Sequence, residues 1–187
     1  MNEIMSVGMS LVVRNDFRQR HDVVATVKKL SETAEMLCHV LKTNELLLDF
    51  HYEENYFRIY DNREKDDEFM DILLFNGFWL IDTAWRYHQY FSYLEERFWL
   101  REMLYKYVIL LGQNEAYACT EFFTWNGGLL EDEENTTFED WQQGCIQKIG
   151  HEIQMLDVED VKFYKDTFYN KEPVYLDKFL DLKPPVF

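Results

Sequence analysis

The sequence predicts a mainly α fold, a single-domain helical bundle, and three observations carry that prediction. Seven Gly and three Pro in 187 residues are few breakers, which favours long uninterrupted elements over a many-turned sandwich or barrel. Residues 17–42 hold an apolar seam of Val23, Val27, Leu30, Ala34, Leu37 and Leu41. Its steps of four and three put all six on one helical stripe. Residues 69–111 offer a large apolar group at nearly every turn, from Phe69 and Ile72 through Trp79, Trp85, Phe91 and Trp99 to Leu111. That is the pattern of a helix buried on most sides. A small β-hairpin near residues 45–60 is the one sheet element such a bundle would carry. The alternative class is α+β.

Each element follows from local chemistry. Residues 7–13 are a short apolar run that reads as a strand or as the start of a helix, because periodicity cannot arbitrate at this length. Asn15 or Asp16 caps the seam helix by accepting from its first backbone N–H groups. In residues 45–60, Leu46, Leu48, Phe50 and Tyr52 alternate, as do Phe57 and Ile59. They read as two strands about a turn at Glu53-Glu54-Asn55, or as a second helix. Residues 61–68 are a charged connector of both signs. Asn76-Gly77 and Ser92 divide the long apolar stretch, and Gly112 stands where a helix stop belongs. Residues 114–126 read as a short helix capped at Asn114 and ended by Gly127-Gly128, or as a strand, since Tyr117, Cys119, Glu121 and Phe123 alternate.

Thr137 followed by Asp140 is a capping-box pattern with Asp in the acidic position, opening a helix through Ile149. A last helix is expected over residues 158–169, capped by Asp157 and stopped by Pro173. Lys183-Pro184-Pro185 makes residues 181–187 an extended tail. No repeat or linker divides residues 1–187, so the chain reads as one domain with a core large enough to stand without staples.

Charge is the strongest functional signal. The net charge is −16. Residues 1–60 contribute −2, residues 61–112 contribute −4 and residues 113–187 contribute −10. The surplus is therefore local, and a local surplus makes a directional field that attracts a basic partner and repels nucleic acid. Binding a duplex requires clustered Lys and Arg. Here the clustered Arg14, Arg18, Arg20, Lys28 and Lys29 are interspersed with Asp16 and Asp22. Fifteen Phe, twelve Tyr and five Trp argue against disorder despite the charge.

No motif for catalysis or a cofactor stands out. The Glu35 and His39 pair shares a helical face opposite the apolar seam and reads as solvated. No Glu has a His three residues on, and His151-Glu152 lacks the second His of a zinc-protease motif. No cofactor and no metal are expected. Cys38, Cys119 and Cys145 have no short pair spacing and read as buried, reduced thiols in a cytoplasmic protein. Residues 1–13 lack the pattern of a signal peptide. Arg97 and Arg101 are expected to pair with Glu96 or Glu102 along one helix, and Asp82 with Arg86.

These readings converge on an acidic binding protein that neutralises a basic partner. Among such proteins the best fit is an immunity or inhibitor protein against a toxin such as a nuclease. The candidate surface lies within residues 115–160. Glu131, Asp132, Glu133, Glu134, Glu139 and Asp140 would supply charge, and Trp125, Phe138 and Trp141 would supply aromatic anchors. The plainer reading of Glu131–Glu134 is a solvated loop. Two further readings stand beside this one. One is a hydrolase using His88, Glu95 and Glu121. The other is a homo-oligomeric assembly module in which the seam of residues 23–41 is exposed and dimeric.

Overall fold

The computed structural model describes residues 8–15, 48–53, 56–61, 68–86, 94–120, 123–124, 129–130, 135–158 and 174–185. They form one eight-stranded sheet with two helices among the described residues. The strands are β1 (Gly8–Arg14), β2 (Leu48–Glu53), β3 (Tyr56–Asp61), β4 (Glu68–Phe75), β5 (Phe78–Arg86), β6 (Ala116–Thr120), β7 (Gln154–Met155) and β8 (Val174–Asp177). The helices are α1 (Leu94–Leu110) and α2 (Phe138–Ile149). The order across the sheet is β2-β3-β4-β5-β1-β6-β8-β7. Every neighbouring pair is antiparallel except β7 with β8.

This arrangement overturns the expected helical bundle. The physical reason lies in the central strands. Met9, Leu11 and Val13 of β1 share one buried cluster with Trp79 and Ile81 of β5 and with Leu100, Met103, Leu104, Tyr107 and Val108 of α1. Val12 of β1 and Phe78 and Leu80 of β5 share a second cluster with Phe138, Trp141 and Cys145 of α2. Successive strand residues point to opposite faces, so α1 covers one face of the sheet and α2 the other. Strands apolar on both faces lose their alternation and read as continuous apolar runs. Residues 69–86 therefore imitate a buried helix.

The break at Asn76-Gly77 is a hairpin turn. Phe75 pairs with Phe78 across it, their rings stack at 4.9 Å, and Gly77 has φ 91°, a conformation that a side chain would resist. The strand reading holds at three ambiguous places, in β1, in the β2–β3 hairpin and in β6. α2 begins and ends where the capping pattern places it. The Asp140 N–H donates to Thr137 Oγ1 at 3.1 Å, and the Thr137 N–H donates to Asp140 Oδ2 at 3.3 Å. At the other end, the Gly150 N–H donates to the Ile146 carbonyl at 2.8 Å. The seam of residues 17–42 lies outside the described residues, as does the expected last helix from residue 159 onward.

The C-terminal segment is built into the fold. Val174, Tyr175, Asp177, Phe179 and Leu182 are buried. Arg101 fixes this segment. Its Nε and Nη2 donate to Asp177 at 2.8 and 2.9 Å, and its Nη1 and Nη2 donate to Asp181 at 2.7 and 2.8 Å. These partners replace the expected helical pairing with Glu102, which is exposed. Phe179 adopts φ 51°, an uncommon region for a side chain of its size. Its N–H donates to Asp177 Oδ1 at 2.8 Å, and its ring stacks on Tyr105 at 4.7 Å.

Candidate partner-binding surface

The start of α2 lies beside the end of β1. Both belong to the sheet face that α2 covers. Thr137 turns the chain into the helix, so Glu139 and Asp140 fall in its first turn, where backbone N–H groups favour negative charge. Both are exposed. Glu139 Oε1 accepts from Arg14 Nη2 at 3.1 Å. With the two side chains 56% and 65% exposed, this ion pair is screened by water and holds Glu139 only loosely. Asp140 completes the capping box, and its Oδ2 also accepts from the Thr137 hydroxyl at 2.6 Å.

Phe138 and Trp141 are not anchors on this surface. They are 3% and 0% exposed, packed with Phe78 and Tyr117 at ring separations between 5.6 and 6.4 Å. The Trp141 Nε1–H donates to the Phe123 carbonyl at 2.8 Å inside the core. Their spacing shows why. Phe138, Trp141 and Cys145 follow steps of three and four, the stripe a helix turns toward a sheet. Arg14 lies over the Phe138 ring, 5.4 Å from its centroid.

Glu131, Asp132, Glu133, Glu134 and Trp125 lie outside the described residues. The flanks of the acidic run are described. Leu130 is buried in the α2 cluster. Leu129 lies over Gly144, where a Cβ would come within 2.7 Å of its Cδ2. Glu139 and Asp140 are thus the two residues of the expected charge set whose exposure is described, and Arg14 is the neighbour that sequence reasoning did not connect with them.

His88 and Glu121 lie outside the described residues. Glu95 falls in the first turn of α1, with its side chain outside them. Cys119 is fully buried, and burial, followed by the nearby Cys145 and Asp82, pushes its thiol well up. Burial likewise pushes Cys145 up to about 12. Both thiols are held neutral at pH 7, whereas a nucleophilic cysteine must be a thiolate. Tyr117 is raised chiefly by burial and then by Glu115, and its hydroxyl accepts from Gln142 Nε2 at 2.9 Å.

A row of polar residues crosses the sheet in neighbouring strands. Arg58 donates twice to Asp71, at 2.9 and 2.8 Å. Asp71 stands opposite Asp82. Asp82 accepts from the Ser10 hydroxyl at 2.8 Å, and the side chain of Arg86, its expected partner, lies outside the described residues. Like charges directly opposite repel, and each carboxylate has its own donor to offset this. Among the described residues no group of three or more His, Cys, Asp or Glu is placed to hold a metal ion. No helix among them is long and apolar enough to cross a membrane. Compared with protein-family models, curated proteins and solved structures, the chain matches none.

Proposed function

We propose that this chain is an acidic binding protein that occupies a basic protein partner through the surface at the start of α2. The partner class we infer is a toxin such as a nuclease, held in check by carboxylates that stand where nucleic-acid phosphates would. The observation that carries the reading is the distribution of charge. Residues 113–187 hold 16 acidic and 6 basic side chains, a balance of −10. Exposed Glu139 and Asp140 follow the run Glu131–Glu134 within six residues of its end. A field of that sign speeds encounter with a basic protein and disfavours acidic ones.

Two basic side chains are engaged with acids of the same chain. Arg14 meets Glu139 at 3.1 Å and Lys178 meets Glu115 at 3.5 Å. The free thiols Cys119 and Cys145 share one cluster, which accords with a reducing, cytoplasmic setting. The test is capture from a lysate of the source cell on immobilised full-length chain at low salt, eluted with a salt gradient. A basic protein released at moderate salt, whose activity on nucleic acid stops when the chain is added back, supports the reading. Retention of no basic protein contradicts it.

A further inference from the structure

We propose that the slot between β6 and β7 accepts the β8 segment of a second copy of this chain, giving a strand-exchanged dimer. β8 comes last among the strands in sequence yet sits inside the sheet. It pairs with β6 from Ala116↔Asp177 to Cys119↔Val174 and with β7 at Gln154↔Tyr175 and Met155↔Leu176. Among the described strands, β7 joins the sheet through β8 alone. The β6 edge, with Arg101 and Tyr105 beside it, is thus the wall that residues 174–182 fill, and β7 pairs once β8 is seated.

Recognition in the slot depends only on the sequence of residues 174–182. Arg101 takes the carboxylates of Asp177 and Asp181, Tyr105 takes the ring of Phe179, and Val174, Tyr175 and Leu182 fill the two clusters. A second copy carries the same pattern and makes the same contacts. An empty slot is strongly unfavourable. It would leave the N–H and C=O groups of β6 as an open edge and Arg101, only 2% exposed, without the two carboxylates it now binds. Whichever β8 arrives first closes it.

The chain length allows exchange. Fifteen residues, 159–173, separate the last described residue before the segment from Val174, and their extended reach is roughly 50 Å. Exchange between identical copies conserves the bonds and changes only connection and association. Competition then depends on concentration. A tethered strand has an effective concentration on the order of 1 mM. Refolding at ~10 µM should give about 1% dimer, and refolding at ~500 µM about a third.

The test unfolds the full chain in denaturant, refolds it at those two concentrations and reads mass by gel filtration with light scattering. Tyr117 and Leu176 stand opposite each other across β6 and β8. Tyr117→Cys together with Leu176→Cys, oxidised after refolding, should give a covalent dimer in the high-concentration sample and an internal bridge in the dilute one. Neither single variant should give the covalent dimer. Should the double variant fail to fold, wild-type chains bearing two different tags are refolded together and one tag is pulled down. Mixed dimer that persists on dilution supports the exchange. Monomer alone at ~500 µM, or absence of the second tag from the pull-down, overturns it.

Discussion

Replacing Arg101 by Met should destabilise the fold far more than loss of any surface charge. The guanidinium and the Asp177 carboxylate are both 2% exposed, and the Asp181 carboxylate is 34% exposed. Arg101→Met leaves Asp177 in the interior with the Phe179 N–H but without the guanidinium that now neutralises it. Breaking one side of a buried ion pair costs about 3–5 kcal/mol. The Asp181 contact is partly screened by water and adds less than about 1 kcal/mol. A loss of about 4 kcal/mol would lower the midpoint of thermal unfolding by roughly 8–16 °C for a chain of this size.

The assay is urea unfolding at pH 7 of wild type, Arg101→Met, Asp177→Asn and the double variant. The double variant should lose less than the sum of the single losses, with a coupling above about 2 kcal/mol, because removing both partners leaves no orphaned charge. Asp181→Asn should cost about 1 kcal/mol or less. An Arg101→Met loss below about 1 kcal/mol, the size of a surface pair, would refute the reasoning. The C-terminal segment would then be held by strand pairing and packing alone.

Three further outcomes are expected. Thr137→Ala removes the hydroxyl that accepts from the Asp140 N–H, while the backbone N–H of residue 137 can still reach the Asp140 carboxylate, and should cost about 1 kcal/mol, read as a lower unfolding midpoint with the sheet intact. Trp141→Phe leaves the Phe123 carbonyl without its donor and should cost about 1–3 kcal/mol. Because Trp141 is buried, this variant should leave partner affinity unchanged. The two thiols should resist a thiol reagent at pH 8 until the protein unfolds. Their ordinary value is 9.0, and the fold raises both, so the unfolded state binds fewer protons above pH 9. The stability they contribute is complete below pH 9. It should fall as pH rises, with the Cys145 contribution lost by about pH 12. Urea midpoints at pH 8 and pH 10, with Cys145→Ala as control, read that slope.

Local chemistry was legible where it is self-contained. The Thr137–Asp140 capping box placed α2 because both ends of that helix are set by neighbours in sequence. Gly112 closed α1 for the same reason. What the sequence hid is non-local. Phe69 to Arg86 read as helix because α1 and α2 cover both faces of β4 and β5, which erases the alternation that marks a strand. Asn76-Gly77 between Phe75 and Phe78 is the short-range hairpin signal that could have corrected this. Arg101 read as pairing along its own helix, since nothing local points to carboxylates 76 and 80 positions away. Phe138 and Trp141 read in sequence as anchors among acids. Their spacing with Cys145 was the available sign that they turn inward.

The most direct test of the proposed acidic surface is the association rate of the captured basic partner with the full chain, measured against ionic strength. Wild type is compared with a variant carrying Gln at positions 131, 133 and 134 and Asn at 132, with Glu139→Gln added in a second variant. Attraction between opposite fields predicts a steep fall in rate with salt for wild type. For the variants it predicts slower association at low salt and a shallower slope, with unchanged urea midpoints. Equal rates for wild type and both variants at low salt would contradict this surface assignment.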